Sequence, residues 1–498
     1  MKFKIKDVGL ETGGTLVVIL NRRDAQHLDL HLNDRILIRE EKNRNNKTVA
    51  ILDIAKSHEL IPFGRIGCMR EVLRKLKLHE GSNVVVEYAK KPRGIGLIKE
   101  KLDGKRLSQG EYDIIVNDIV RDELTEGELT YFVAGCYIRG MTIDETVYLT
   151  RSIVSHGAQL KLTSEDVYDK HCIGGIPGNR TTMVLVPILA AAGLKLPKTS
   201  SRSITSPAGT ADTMEVLAPV ALPLKKMQDM VERIGGFIAW GGGINLAAAD
   251  DRLIRVRHSM SIDPQGMLLA SILAKKKAAN SNKVLIDIPI GPHTKIKERK
   301  QANQLKRLFI LVGKRLGMHL EVIITNGSEP IGHGIGPALE ARDTLYILRR
   351  DLRAPKDLEE KTLRMAAYML RMAGMDKPEK RARYLLESGA AYRKFKEMIK
   401  AQGGNPHIDP DKIRVGRFTQ VITAQKSGSL TELNTESISH VARVAGAPLD
   451  KGAGIYLHRH VGARLKKGDL IMTIYAESKA KLHFALEQCS QDHCYTIK

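Results

Sequence analysis

Residues 169–217 read DKHCIGGIPGNRTTMVLVPILAAAGLKLPKTSSRSITSPAGTADTMEVL, and the parsing of this run decides the fold. Its first part, Lys170 to Asn179, is a glycine-rich loop feeding the apolar run Met183 to Leu194. Its second part, Ser200 to Gly209, gathers the hydroxyls of Ser200, Ser201, Ser203, Thr205 and Ser206 around Arg202. A further helix opens near Thr210, with Pro207 and Gly209 shaping the turn. A loop that ends at a helix N-terminus presents backbone N–H groups and the positive end of the helix dipole, and both favour an anion. Lys170 adds a full positive charge. Two such loops close together suggest a phosphorylated ligand; glycine turns and serine clusters also serve as plain helix punctuation and caps, and composition leaves both open. The spacing matches neither a GxxxxGK(S/T) phosphate loop nor a GxGxxG dinucleotide fingerprint.

Outward from that run, the chain's 498 residues allow several domains and at least one large core. Hydrophobic residues make up 43%, mean hydropathy is −0.21, and no apolar run approaches membrane-spanning length. Behind polar residues and glycines, the N-terminus holds only the short apolar run Leu16 to Leu20, so it does not read as a signal peptide. A cytoplasmic location is the expectation. The five cysteines (Cys68, Cys136, Cys172, Cys489, Cys494) are scattered, which argues against a disulfide framework. Cys489, His493 and Cys494 lie close together without zinc-ligand spacing, so no structural metal is expected. The net charge of +23 fits either attraction of phosphorylated or polyanionic partners or a generally basic, solvated surface. Its carriers are spread out, at Lys275–Lys277, Lys295–Lys300 and Lys380–Arg383, and aromatics make up only 4%. That scarcity argues against a base-stacking surface, so the solvated reading is preferred and nucleic acid is not expected as a partner.

The order of patterns predicts a multidomain α/β protein. Residues 1–84 alternate β-branched runs with Gly, Asn and Asp turns, as in a small β-rich domain. Residues 85–167, with 246–280 contributing, read as a helical domain. Ser108 with Glu111 and Thr125 with Glu128 mark two helix starts by the capping-box pattern, and a third helix is expected from Ile143 to His156. Residues 168–245 and 281–415 form a central α/β domain, its short apolar runs predicting a mostly parallel sheet covered by helices. After Gly403-Gly404-Asn405-Pro406, residues 416–498 read as a small α+β domain.

Asp263-Pro264 is a strong helix start, with aspartate as cap and proline at the first helical position. Asp263, Met267, Ser271 and Lys275 are spaced by four, which puts them on one inclined row of that helix. Capping and a chemical role both fit.

KHCIGGIPGNRTT followed by KTSSRSITSPAGTAD resembles the thymidine and pyrimidine-nucleoside phosphorylase family, and within it the archaeal AMP-cleaving branch. The likeness continues through SIDPQGMLLASILAKK, PIGHGIGPALEA and AQGGNP. Cys172 departs from the family, whose bacterial members carry serine there. The archaeal branch also shares the N-terminal extension that bacterial members lack. The resemblance implies that Asp263 donates a proton to the leaving base. It implies AMP contacts from Gly175, Ser201, Arg202, Ser203, Ile204, Thr205, Ser206, Thr210, Ser271 and Lys295. Lys170, His171 and Lys275 would hold phosphate. No cofactor is implied, inorganic phosphate being a co-substrate, and relatives assemble as homodimers or larger homo-oligomers.

The implied reaction explains these residue types. Phosphorolysis of an N-glycosidic bond puts positive charge on the sugar and negative charge on the departing base. Phosphate must be held below the anomeric carbon by N–H, hydroxyl and ammonium donors, and a carboxylic acid eases departure of the base. A 5′-phosphate demands further donors, for which Arg202 and Lys295 are candidates. The expected activity is conversion of AMP, and also CMP and UMP, with phosphate to free base and ribose 1,5-bisphosphate. Alternatives are a pyrimidine-nucleoside phosphorylase, a phosphoribosyltransferase, or a non-enzymatic nucleic-acid binder. One difficulty stands out: a carboxyl at a helix N-terminus is favoured as the anion, so desolvation on closure of the cleft is expected to assist Asp263.

Overall fold

The computed structural model describes every residue except Ile204, Thr205 and Asn245, and resolves the chain into two compact units. The first comprises Met1–His156 with Ala248–Leu268; the second comprises Gly157–Ala247 with Leu269–Lys498.

Six strands open the first unit and close into a barrel, made by Lys2–Asp7, Val17–Asn21, Arg35–Glu40, Lys47–Ala55, Arg65–Cys68 and Asn83–Tyr88. Alternation builds it: Phe3 and Ile5, Ile36 and Ile38, and Val84 and Val86 point inward while their neighbours face out. Closure leaves no unpaired sheet edge, because Lys2–Asp7 pairs with both Arg65–Cys68 and Asn83–Tyr88. Helices Arg93–Leu102, Gln109–Val120, Glu126–Ile138 and Ile143–Ser155 follow. The capping boxes at Ser108 and Thr125 are present, and a third joins Thr142 to Glu145. Glu145 also takes the buried Lys101 ammonium at 2.6 Å. The later helix Ala248–Ser259 packs back on this group, with Arg252 reaching the carbonyls of Ile119 and Leu124 and the carboxylate of Asp122.

The second unit is built on parallel strands. Lys283–Ile290 lies between Tyr168–Cys172 and His319–Asn326, all parallel, and Leu196–Ser200 pairs in parallel with Gly236–Trp240. The central strand is buried on both faces, and all its buried residues but Asp287 are apolar. Thr181–Ala191, which directly follows the first loop, is buried almost all round within the largest core. Pro337–Arg349, Lys356–Met372, Pro378–Glu387 and Ala390–Gln402 also contribute to that core. An antiparallel sheet, in the order Gly334–Ile335, Gly454–Leu457, Leu470–Ala476 and Phe418–Thr423, organises the C-terminal part. Its first strand comes from the PIGHGIGPALEA segment, which the sequence assigned to the α/β part.

Two expectations need correction. The helix after Asp263-Pro264 runs Gln265–Ala278, so Pro264 takes the cap position and Asp263 precedes it. Arg257 NH1 donates to Asp263 Oδ1 at 2.6 Å. The run Lys275–Lys277 is not a solvated surface either, because Lys276 is 2% exposed and ion-paired. None of the described helices is long and apolar enough to cross a membrane, and no described cluster of His, Cys, Asp and Glu is arranged to hold a metal.

Candidate active site

In the second unit, the three adjoining parallel strands end at Cys172, Ile290 and Asn326, each followed by a glycine-containing loop. Open α/β sheets bind ligands at such carboxyl ends. The loops touch through their glycines. A Cβ on Gly175, which has φ +99°, would lie 3.1 Å from Thr294 Cα and 3.2 Å from Lys295 N. A Cβ on Gly327 would lie 2.7 Å from Thr294 Cγ2. The backbones approach so closely that side chains are excluded, and Gly175 adopts the left-handed region that only glycine enters cheaply.

Beneath the first loop sits a knot of charge. Asp169 is fully buried; its Oδ1 accepts from Lys198 Nζ at 3.1 Å and from the Lys170 N–H at 2.6 Å, and its Oδ2 from Lys276 Nζ at 2.6 Å. Burial alone would raise the Asp169 carboxyl, but Lys198 and Lys276 outweigh it and hold the group below the usual carboxylate range. Burial pulls the Lys198 and Lys170 ammonium groups down. Lys170 Nζ donates to Thr181 Oγ1 at 2.8 Å, tying the end of the strand to the first helical turn. His171 is held well below the ordinary imidazole value, first by desolvation and then by Lys276, Lys198, Lys170 and Lys275. Lys170, Lys198, Lys275 and Lys276 all act on His171, with Asp169 and Asp287 as buried counter-charges, and this lysine-rich setting suits an anion.

A second knot joins the two loops. Arg180, at the start of Thr181–Ala191, pairs through Nε with Glu340 and donates to the Ala208 carbonyl of the second loop. Glu340 also accepts from Thr213 Oγ1 at 2.9 Å and from the Gly336 N–H at 3.2 Å. Thus one buried ion pair fixes the first loop, the second loop and the PIGHGIGPALEA segment together. Nearby, Asp287 accepts from Thr325 at 2.6 Å and pairs with Lys361 at 3.3 Å. Asn179 Nδ2 donates to Cys172 Sγ at 3.4 Å, and burial, followed by Asp287, pushes that thiol up.

The second loop is less open than its hydroxyl count suggests. Asp212 Oδ2 takes the N–H groups of Ser203 and Gly209 at 2.7 and 2.8 Å. Ser203 and Ser206 hydroxyls donate to carbonyls of the same loop, Ser206 and Ala208 respectively. Arg202 is committed to Glu215 at 2.6 and 2.8 Å and to Asp212 at 3.2 Å, with its guanidinium 5.0 Å over the Trp240 ring. Ile204 and Thr205 lie outside the described residues.

Of the expected site residues, the second unit therefore gathers Lys170, His171 and Lys275 around one cradle and sets Gly175 against the Lys295 backbone. It ties Ser203, Ser206 and Thr210 to the loop that Arg180 anchors. Ser271 is buried in its helix, and the exposed Ser201 and Lys295 lie on loops. Asp263 belongs to the first unit, beside Arg257. Gly266 permits that placement, since a Cβ there would lie 2.8 Å from Met141 Sδ and 2.9 Å from Thr146 Oγ1. Sequence reasoning missed Asp169, Lys198, Lys276, Arg180, Glu340 and Arg257. A signal existed for Lys276: it stands three and four residues after Leu273 and Ile272, on the apolar face of its helix.

Comparisons with known proteins agree with this architecture. Residues 95–157 match a glycosyl transferase family helical bundle domain, residues 164–392 the a/b domain of that family, and residues 429–497 the pyrimidine nucleoside phosphorylase C-terminal domain. The AMP phosphorylase of Methanococcoides burtonii is 44% identical over 99% of this chain and 96% of its own length. AMP phosphorylase 1 of Archaeoglobus fulgidus is 43% identical over 98% and 95%. The chain belongs to the AMP phosphorylase family. With that family it joins the glycosyl-transferring enzymes. The AMP phosphorylase of Thermococcus kodakarensis is 43% identical over 98% of this chain and 96% of its own. Among solved structures, anthranilate phosphoribosyltransferase from Thermus thermophilus superposes with a TM-score of 0.52 at 17% identity, over 61% of this chain and 98% of its own, a likeness of fold.

Proposed function

We propose that the protein cleaves AMP with inorganic phosphate to adenine and ribose 1,5-bisphosphate, with CMP and UMP as further substrates. The observation that carries this reading is the anion cradle of Lys170, Lys198, Lys275 and Lys276 around a neutral His171, in a chain nearly coextensive with relatives named AMP phosphorylase. Lys170, His171 and Lys275 hold the attacking phosphate. Gly175, Ser201 to Ser206, Thr210, Ser271 and Lys295 hold the nucleotide, Arg202 shaping its loop more than donating. Clustered donors of this kind hold phosphate in line and meet developing charge without reorganising, which is where most of the rate enhancement arises. Asp263 supplies the proton to the base. The reading gives the reaction no resident metal or cofactor, and places the protein in the cytoplasm as a homodimer or larger homo-oligomer.

Incubation with phosphate and either AMP or adenosine, with release of adenine measured, tests it. Release from AMP alone is the expected result. Cleavage of uridine or thymidine with AMP untouched would instead favour a pyrimidine-nucleoside phosphorylase, the second reading raised by the C-terminal match. Asp263→Asn should lower turnover by about a hundredfold or more while AMP binding persists, the size expected for a lost general acid. Near-normal turnover would remove Asp263 from the acid role.

A further inference from the structure

Arg257 stands at the last turn of Ala248–Ser259 between two carboxylates. Its NH1 is 2.6 Å from Asp263 Oδ1 and its NH2 is 3.8 Å from Asp250 Oδ1. The three groups differ in depth: Asp250 is 1% exposed, Arg257 7%, and the Asp263 side chain 39%. Arg257 Nε is buried without a hydrogen-bond partner, so the fork is not saturated. The other cations of this helix are engaged elsewhere, Arg252 on Asp122 and two carbonyls, Arg255 on the Gly13 carbonyl. From the helices packed on it come Asp122 and Glu126, both acting on Arg252, and Glu145, which is held by Lys101. Asp251 and His258 complete the titratable groups of the helix itself.

We propose that Arg257, backed by Asp250, is the positioning residue that governs proton uptake by Asp263. The inference rests on Asp263 being the acid of the proposed reaction. A proton on Asp263 removes the charge with which Arg257 is paired, and a buried cation left without a counter-charge is costly. Asp250 supplies the replacement: the guanidinium shifts toward the deeper carboxylate while Asp263 takes a proton from solvent. That proton passes to a ring nitrogen of the departing base. Asp263 is left as carboxylate, and Arg257 returns to it. The pair thus orients the acid and permits both of its charge states.

The test is the pH profile of kcat/KM for AMP in wild type, Arg257→Gln, Asp250→Asn and the double variant. The limb that falls as pH rises reports loss of the acid's proton. Without Arg257 it should move up by about one pH unit, the effect of removing an adjacent opposite charge. Without Asp250 the guanidinium rests wholly on Asp263, and the limb should move down, with activity at neutral pH lowered about tenfold. The double variant removes both buried charges together, so it keeps the fold testable, and should follow Arg257→Gln. Shifts in the same direction for both single variants, or none, overturn the inference. Failure of wild type to release adenine, or retained activity in Asp263→Asn, would instead overturn the reading beneath it.

Discussion

At His171, desolvation first and then four neighbouring lysines keep the imidazole neutral at neutral pH, so it offers one N–H donor and no charge. The sign of the linkage follows. In the unfolded chain this histidine takes a proton below about pH 6.5, whereas in the native state it does not, so it lowers stability progressively as pH falls. His171→Asn should therefore narrow the difference in melting temperature between about pH 7.5 and about pH 5.5 relative to wild type. Equal losses in both proteins would mean the native imidazole protonates normally. At Cys172, a half-buried thiol accepts from Asn179 where bacterial family members have a hydroxyl. Cys172→Ser should keep kcat within about threefold and lower the KM for phosphate, because a hydroxyl is the stronger donor. Steady-state kinetics with varied phosphate decides it.

Between elements, the Arg180–Glu340 pair sets the spacing of the two loops. Glu340→Ala strands a buried guanidinium and should cost about 3–5 kcal/mol, seen as a lowered denaturation midpoint. Gly175→Ala places a Cβ at φ +99° against Thr294 and Lys295, and should raise the KM for AMP about tenfold without a comparable loss of stability. Periodic features were legible in the sequence. The capping boxes at Ser108 and Thr125, the apolar runs Val284–Ile288 and Val322–Thr325, and the loop-helix of Lys170–Ala191 all formed where local pattern placed them. What failed was non-local. Gly334–Ile335 is too short to announce itself, and it joins the C-terminal sheet only through its pairing with Gly454–Leu457. The charge knots depend on partners far along the chain: Lys276 is 107 residues from Asp169, and Arg180 is 160 from Glu340. The pairing itself carries no local signature; only the helical position of Lys276 after Ile272 and Leu273 marked it as facing inward. Arg257 and Asp263 are only six apart, yet the aspartate-proline pattern pointed to a cap instead.

Across the first unit, the N-terminal barrel is fastened to the helices by specific charges. Arg35 reaches the Glu123 carbonyl and the Glu128 carboxylate, and Lys75 pairs with Asp122. Arg35→Ala leaves Glu128 short of a partner and should separate a low-temperature unfolding step, belonging to the barrel, from the main calorimetric transition. A single unshifted transition would show that the barrel is held by other contacts. The net charge of +23 acts over longer range. Raising ionic strength should reduce kcat/KM for doubly charged AMP more than it reduces kcat at saturating AMP, as expected when charge assists encounter. The stacking of Arg202 on Trp240 has an optical consequence, because this indole is the chain's single tryptophan. Selective excitation in the near ultraviolet interrogates one position, directly under the hydroxyl-rich loop. Emission intensity will follow the guanidinium as it lifts or settles, giving a label-free stopped-flow record of ligand capture in the unmodified protein.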